Sequence, residues 1–312
     1  MENNTILDAI DEDLKQDMVS RREAIKKGAS ASSFVMAGLK MGSVPMAIAA
    51  LATDLRAQAA PSIKQVLDFA FTLENLESEF YKAVLGRSSL AAFNLAFAPV
   101  RGTFNAVEVA TFDQILKHEI QHVEFLRGVL NTMGGPARNW TAADFDFTGG
   151  NGNGMGPFAP ATTNKQFLLA ATQGFEDTGV RAYKGAAGFL ISNNVVLEAA
   201  LRIHSVEGRH ASRVRRLRRL SNPDQTTIRY SGTIRGGGAA AAGAGFLNPP
   251  QAVVDAFALI YEGDQNTMQA GIDITTLAVG FGGTDAATEA FDEPLTIAQV
   301  TRIVDPFIIP AF

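Results

Sequence analysis

The sequence of 312 residues contains no cysteine. This absence excludes disulfide bonds, thiolate zinc sites, cysteine-ligated iron–sulfur clusters and cysteine nucleophiles. Charged residues make up only 19% of the chain and the net charge is −5, so the composition predicts no nucleic-acid partner. Histidine is also scarce, and each of the four positions can be considered in turn: His118, His122, His204 and His210.

The first 59 residues are predicted to be an export signal. The segment from Ser20 to Lys26 resembles the twin-arginine translocation signal, although Ala24 stands where that signal usually has a larger apolar residue. A mildly apolar stretch of small residues follows, and a small-x-small cleavage site lies at residues 57–59. The mature protein is then expected to begin near Ala60.

Two other interpretations of this segment are an arginine pair without function and a membrane anchor. Lys40 and Pro45 interrupt the apolar stretch, which falls short of the roughly 20 clean residues that a spanning helix needs. The order of the features favours the signal. It predicts export of the folded protein by the twin-arginine route to a periplasmic or extracellular location, with no stable membrane insertion after signal removal.

Four long helices are predicted after the signal, because apolar residues recur at helical spacing over residues 61–85, 106–133, 164–192 and 194–220. A loop rich in glycine, asparagine and proline, residues 137–163, is predicted to be one long crossover. No alternating run is long enough to build a sheet. The predicted fold class is all-α: a four-helix bundle at residues 60–225, then a Gly/Ala linker and a mostly helical C-terminal extension at residues 226–312.

Two of the histidines occur in the same short motif. Glu119 precedes His122 by three residues, and Glu207 precedes His210 by three residues, on two different predicted helices. Residues three apart lie on one face of a helix about a turn apart, so both side chains can reach one metal ion or bridge two. One such motif alone is more often an ordinary pair on a helix surface.

The other two predicted helices carry a second repeated spacing. Glu74 is followed seven residues later by Tyr81, and Glu176 is followed seven residues later by Tyr183. Seven residues make two helical turns, so each glutamate shares a face with its tyrosine. The chain therefore repeats the same order twice, which indicates an internal duplication of a helical hairpin.

Residues 61–220 resemble the ferritin-like superfamily, whose di-iron members have one Glu on each of two helices and Glu-x-x-His on each of the other two. The run from Leu73 to Tyr81 and the tail segments Phe291–Thr296 and Val304–Phe307 are closer still to exported, desiccation-related ferritin-like proteins. The resemblance then covers nearly all of the expected mature chain. It implies a ferritin-like four-helix bundle with two metal ions in its interior.

Carried over residue by residue, this resemblance implies six metal ligands: Glu74, Glu119, His122, Glu176, Glu207 and His210. Glu119 and Glu207 are expected to bridge the two ions, while Glu74 and Glu176 are expected to be terminal ligands. Two divalent ions would nearly neutralise four carboxylates that could not be buried unpaired. Oxygen-rich ligation with one imidazole per ion suits two iron ions or two manganese ions, and the ligands do not discriminate between them.

Other residues near this set have open roles in the sequence. Glu77 lies three residues from Glu74, so it is either the ligand in its place or an outer residue. Tyr81 and Tyr183 are either hydrogen-bond donors to the carboxylates or ordinary core tyrosines. His118 and His204 have no glutamate three residues before them and are interpreted as outer or surface residues.

Two compositional features have simpler interpretations. Six arginines between residues 209 and 219 are expected to decorate the C-terminal end of the fourth helix, where cations offset the helix dipole. The glycine-rich runs lack the strand, the helix or the lysine of a phosphate-binding loop, so they are expected to be linkers.

The resemblance leaves several functions open and assigns no catalytic residue. One is an oxidoreductase whose metal pair reacts with O2 or peroxide, as in ferroxidase, peroxidase or catalase-like chemistry. Manganese catalases have a different fourth-helix pattern, so the second Glu-x-x-His favours the di-iron type. The alternative is a non-enzymatic stress or desiccation-associated protein with a structural metal pair. A subunit of a storage cage is a weaker third interpretation, because the long C-terminal extension is not typical of cage subunits. Homo-oligomerisation stays open.

Overall fold

The structure is a computed structural model that describes residues 60–221, 250–269, 271–277, 280 and 283–309. The predicted export signal and the run from Gly236 to Gly245 lie outside these residues. All described residues belong to one compact unit, residues 50–312. Within the described ranges, no helix is both long enough and apolar enough to span a bilayer.

The all-α prediction is confirmed. The helices are α1 (Ile63–Val84), α2 (Ala91–Ala96), α3 (Ala98–Arg101), α4 (Ala106–Asn131), α5 (Lys165–Ala186), α6 (Asn194–Ser221), α7 (Gln251–Ile260), α8 (Gly283–Ala290) and α9 (Ile297–Val304). A two-residue hairpin, β1 (Met268–Gln269) and β2 (Ile272–Asp273), is antiparallel. The third predicted helix ends earlier than expected, at Ala186, and a 3-10 turn, Ala187–Leu190, continues it.

The long helices begin and end where the sequence provides capping residues. Ser62 and Gln65 form a capping box at the start of α1, and Asn105 and Glu108 form another at the start of α4. Each box satisfies backbone N–H groups that the first helical turn leaves without partners. Beyond the end of α4, Gly134 and Gly135 adopt positive φ angles of 94° and 90°, which favour glycine and stop the helix.

The four long helices pack as two hairpins. α1 packs mainly along α4, and α5 packs mainly along α6. These pairs correspond to the two halves of the predicted duplication. A single apolar cluster fills the bundle and contains the buried aromatic rings of Phe71, Phe80, Phe112, Phe167 and Phe175. The bundle interior is therefore largely apolar, with some buried polar side chains between the helices.

The predicted long crossover connects α4 to α5, and one carboxylate organises it. The Asp146 carboxylate accepts hydrogen bonds from the backbone N–H of Thr148 (2.9 Å), Gly152 (2.9 Å) and Gly154 (3.1 Å), and also from the Thr148 hydroxyl (2.6 Å). Backbone hydrogen bonds also join this loop to the C-terminal residues, including Asn151 N–H to the Pro306 carbonyl at 2.9 Å. The run therefore connects α4 to α5 as predicted, and a buried carboxylate organises it.

The described C-terminal residues dock on α5. The Arg181 guanidinium forms an ion pair with Glu293 and donates to the Glu262 carbonyl at 2.9 Å. Lys184, one turn later, donates to the Asp292 carbonyl. A methyl group on Gly185 would lie 1.8 Å from the Leu295 carbonyl oxygen, so this glycine permits the close approach of the two segments.

The arginine-rich end of α6 is partly interior, which corrects the prediction of a solvated decoration. Arg218 is 1% exposed and donates to the Gln173 side chain at 2.6 Å. Arg215 donates to Asp177 at 2.9 Å, and Tyr261 from the C-terminal segment donates to the same carboxylate at 2.9 Å. These two arginines join α6 to α5 and to the extension, so they contribute to packing. The other four are exposed as expected: Arg209, Arg213, Arg216 and Arg219.

Candidate metal centre

A polar layer in the bundle contains all six residues that the sequence predicted as ligands. Their side chains come from α1 (Glu74), α4 (Glu119 and His122), α5 (Glu176) and α6 (Glu207 and His210). The four carboxylates have no exposed surface, and the two histidines are buried. The structure thus brings together residues that are separated by up to 136 positions in the chain.

The six residues form two overlapping groups. One group is Glu74, Glu119, His122 and Glu207, and the other is Glu119, Glu176, Glu207 and His210. In each group, one potential ligand atom per residue lies within 4.8 Å of all the others. Only Glu119 and Glu207 belong to both groups, which is the arrangement expected of two bridging carboxylates.

The histidine nitrogens mark the two halves of the layer. His122 Nδ1 lies 3.0 Å from Glu74 Oε2, 3.2 Å from Glu119 Oε2 and 3.4 Å from Glu207 Oε1. His210 Nδ1 lies 2.8 Å from Glu119 Oε1 and 3.2 Å from Glu176 Oε2. Each Nδ1 therefore faces a terminal carboxylate of its own half and a carboxylate shared by both halves.

The unsatisfied atoms of this layer fit a pair of cations. Five buried atoms have no hydrogen-bond partner among the described residues: Glu119 Oε1, Glu176 Oε2, Glu207 Oε1, Glu207 Oε2 and His210 Nδ1. Buried polar atoms without partners are costly, and all five are lone-pair donors that point into the same layer. Oxygen and imidazole donors in this proportion suit iron or manganese. The residues present therefore fit a dinuclear metal centre.

The electrostatics of the layer lead to the same conclusion. Burial, together with repulsion from Glu74 and Glu176, raises the pKa of Glu119 well above its ordinary value. Burial and repulsion from Glu119 and Glu74 raise the pKa of Glu207 in the same way. Burial also opposes ionisation of Glu74, but its attraction to His122 and its hydrogen bonds with His122, Glu119 and Tyr183 together outweigh that effect and lower its pKa. A cation in this layer would favour the ionised form of both shared carboxylates.

The two tyrosines are donors to the carboxylates, and they act across the duplication. Tyr81 on α1 donates to Glu176 on α5, and Tyr183 on α5 donates to Glu74 on α1. Burial and the neighbouring carboxylate raise the pKa of both phenols well above the ordinary value. Both hydroxyls therefore stay protonated and remain donors, which favours the outer role over that of ordinary core residues.

Glu77 on α1 is buried but belongs to neither group of potential ligands. Burial and repulsion from Glu119, Glu176 and Glu74 raise its pKa well above the ordinary value. The geometry therefore favours Glu74 as the α1 ligand and places Glu77 beside the centre. Gly179 leaves room for the Glu207 carboxylate, because a methyl group at this position would lie 3.0 Å from Glu207 Oε2.

The two remaining histidines have different environments. His204 is half-buried and its Nδ1 lies 3.0 Å from the Val180 carbonyl oxygen of α5. His118 contacts the centre directly, since its Nδ1 lies 2.8 Å from His210 Nε2. The sequence had assigned both as outer or surface residues and gave no particular role to His118. Its position four residues before His122, on the same helical face, was the available signal.

Comparison with known proteins agrees with this geometry. A family model described as a ferritin-like domain matches residues 62–219, about half of the chain and all of the bundle helices except the last two residues of α6. Neither the curated proteins nor the solved structures include a match to the chain.

Proposed function

This chain belongs to the ferritin-like domain family, and on that basis we propose that it is a dinuclear iron or manganese protein that acts as an oxidoreductase on O2 or peroxide. The single observation that carries the proposal is the sharing of Glu119 and Glu207 between two groups of buried ligand atoms. When bound, the two metal ions would supply one electron each to the oxygen substrate. The reaction itself is not fixed by the fold.

The residues of the chain have distinct parts in this proposal. Glu74 with His122, and Glu176 with His210, would each hold one ion, while Glu119 and Glu207 would hold both. Tyr81 and Tyr183 would orient the terminal carboxylates through their hydroxyl groups. The surrounding apolar core would exclude water from the layer, which strengthens every interaction between charges there.

An apolar cavity supports O2 as a substrate. The cavity has a volume of about 140 Å³ and lies between α1, α4, α5 and α6. Its walls are almost entirely hydrocarbon, and Tyr183, which donates to Glu74, forms part of them. An apolar space of this size accepts small apolar molecules. O2 is such a molecule, and Tyr183 belongs both to the wall of this cavity and to the contact with Glu74.

The test is oxygen consumption by purified protein. The apoprotein is loaded anaerobically with Fe(II) or Mn(II), freed of excess metal and mixed with O2 or with H2O2. We expect rapid consumption by the unaltered protein and background rates from a Glu119→Ala/Glu207→Ala variant. Two bound ions that do not react with either oxidant would contradict the oxidoreductase and favour the alternative, a stress-associated protein with a structural metal pair.

We extend the proposal to the location of the protein, which the sequence predicts to be periplasmic or extracellular. The basis is the arginine pair at positions 21 and 22. Replacing both by lysine is expected to retain the protein in the cytoplasm, as measured by cell fractionation. An Arg56→Lys variant, changed outside the pair, is expected to be exported normally. Export of the Arg21→Lys/Arg22→Lys variant at the normal level would refute this route.

A further inference from the structure

His118 and His210 form an edge-to-edge pair beside the centre. His118 Nδ1 lies 2.8 Å from His210 Nε2. The ring planes differ by only 10° and the ring centroids are 5.1 Å apart. With the two nitrogens 2.8 Å apart, 5.1 Å is about the largest possible distance between the ring centroids. Both nitrogens therefore lie on the line between the centroids, and the rings are nearly coplanar rather than stacked face to face. This is the geometry of an imidazole–imidazole hydrogen bond.

Metal binding through Nδ1 would determine which nitrogen of His210 carries the proton. His210 Nδ1 faces Glu119 at 2.8 Å and Glu176 at 3.2 Å, and it can bind a metal ion only through its lone pair. The proton must then be on Nε2, which donates it to His118 Nδ1. His118 in turn carries its proton on Nε2, which lies 2.6 Å from Gln114 Nε2. A 180° rotation of the Gln114 side-chain amide exchanges its nitrogen and oxygen, and the oxygen then accepts this proton.

The other half of the centre has no equivalent support. His122 Nδ1 faces Glu74 and Glu119 much as His210 Nδ1 faces its own carboxylates. Among the described residues, however, no side chain or carbonyl is hydrogen-bonded to His122 Nε2. The duplication therefore supplies two equivalent sets of ligands, but only one of the two imidazoles is fixed in tautomer and orientation by a neighbour.

We propose that His118 is a positioning residue for His210, and that it makes the Glu176–His210 position the tighter of the two metal positions. The inference rests on the proposed dinuclear function. Outer partners that fix a ligand imidazole typically contribute about 10- to 100-fold in metal affinity. The Glu176–His210 position accordingly fills first, and the Glu74–His122 position fills second.

The surroundings of His118 allow a direct chemical test of its role. The residue is half-buried and borders a surface pocket of about 610 Å³, whose walls include Gln114, Arg209 and Arg213. Removal of the His118 ring would therefore leave a space open to solvent beside His210. Free imidazole can enter such a space and accept the hydrogen bond in place of the lost side chain.

The experiment is an anaerobic titration of the full-length apoprotein with Mn(II), in which calorimetry measures binding and electron paramagnetic resonance measures the free ion. The unaltered protein should show two classes of binding. His118→Ala should weaken only the tighter class, by about 10- to 100-fold. Added imidazole should restore that class, and His118→Asn, which keeps an acceptor oxygen near the position of Nδ1, should restore it in part.

Three further variants assign the classes and control for folding. His210→Ala should remove the tighter class, and His122→Ala should remove the weaker class. His204→Ala removes a half-buried histidine that bonds to a neighbouring helix without contacting the centre, and it should change neither class.

Each contrary result has a distinct meaning. Equal classes in the unaltered protein, equal weakening of both classes by His118→Ala, or failure of both imidazole and His118→Asn to restore binding would overturn the role of His118 while leaving the metal pair in place. An unaltered protein that binds neither Mn(II) nor Fe(II) would overturn the proposed function and this inference together.

Discussion

The Tyr81 hydroxyl on α1 donates a hydrogen bond to the Glu176 carboxylate on α5, which belongs to the other half of the duplication. Tyr183 donates to Glu74 in the reverse direction. Each helical hairpin thus supplies a glutamate to one group of potential ligands and a tyrosine that donates to the glutamate of the other hairpin. The two hairpins are coupled through the site itself, and neither can be displaced without loss of both interactions.

Replacing Tyr81 by phenylalanine removes one of these donors while preserving the ring. Glu176 then lacks its donor, so we expect the Glu176–His210 position to bind Mn(II) about 10- to 100-fold more weakly. Tyr183→Phe is the matched variant and should weaken the Glu74–His122 position by a similar factor. Calorimetric titration measures both. Unchanged affinities in both variants would mean that the tyrosines are ordinary core residues.

Glu74 and Glu77 should respond differently to the same substitution. Glu74 belongs to one group of potential ligands and Glu77 belongs to neither. We expect Glu74→Gln to reduce the bound metal to about one ion per chain, whereas Glu77→Gln should retain about two, as the ligand inventory requires. Elemental analysis of the purified variants provides the comparison. If Glu77→Gln lost one ion and Glu74→Gln lost none, Glu77 would be the ligand and Glu74 the neighbouring residue.

Gly185 should be intolerant of a side chain because the C-terminal segment passes directly over it. The added methyl group of Gly185→Ala would lie 1.8 Å from the Leu295 carbonyl oxygen, so the segment must shift. We expect a loss of about 1–3 kcal/mol in the free energy of unfolding, as for overpacked interiors. Faster proteolysis of the C-terminal segment should accompany this loss, and both are measurable on purified protein.

Gly128 on α4 provides the control for that substitution. It is exposed, and a methyl group there would have no atom within 4 Å. Gly128→Ala should therefore stabilise the protein by about 0.5–1 kcal/mol, because alanine is the better helix former. Equal effects of the two substitutions would show that the contact with Leu295 does not constrain the segment.

Asp146 should make the crossover sensitive to acid. Burial opposes its ionisation, but the hydrogen bonds from Thr148, Gly152 and Gly154 outweigh that effect and lower its pKa below the ordinary 3.8. A carboxyl group with a lowered pKa stabilises the fold above its unfolded-state value, and this stability is lost as the pH falls through the folded-state pKa. Stability from Asp146 is thus complete above about pH 3.8 and declines below it.

The corresponding variant is Asp146→Asn, which we expect to lower the free energy of unfolding at neutral pH by about 1–3 kcal/mol. The difference from the unaltered protein should shrink as the pH falls below 3.8. Asp255→Asn, at an exposed position of α7, should change stability by less than about 0.5 kcal/mol. Denaturant unfolding at several pH values measures all three proteins. A pH-independent difference would exclude the Asp146 charge as its cause.

The sequence predicted the bundle and the composition of its polar layer well because both depend on local spacing. Glu119 and His122 must share a helical face whatever the rest of the chain does, and the same holds for Glu207 and His210. The repeat of this order in two halves then determined which helices pair. The predicted bounds of the first, second and fourth long helices lie within two residues of the observed ones, whereas the third ends six residues earlier than predicted.

The features that the sequence did not predict depend on contacts between distant segments. Arg181 and Lys184 look like ordinary helix residues, yet they hold a segment that lies about a hundred positions later. Gly185 looks like a weakness in α5 until the approach of Leu295 is known. The contact of His118 with His210 joins two helices whose relative rotation no spacing in the sequence determines.

Short helices were missed for a related reason. α2 and α3 span only six and four residues, too few for an apolar repeat to be recognised. The run from Gly149 to Gly154 was expected to be a linker because its composition is that of one. Its order comes from the single carboxylate of Asp146, which precedes the run.

The most direct test of the account is elemental analysis of the purified protein beside a Glu119→Ala/Glu207→Ala variant. Both shared carboxylates are removed in the variant, so neither group of ligands remains complete. The account predicts about two iron or manganese ions per chain in the unaltered protein and almost none in the variant. An unaltered protein without metal, even after anaerobic loading with Fe(II) or Mn(II), would contradict the dinuclear centre.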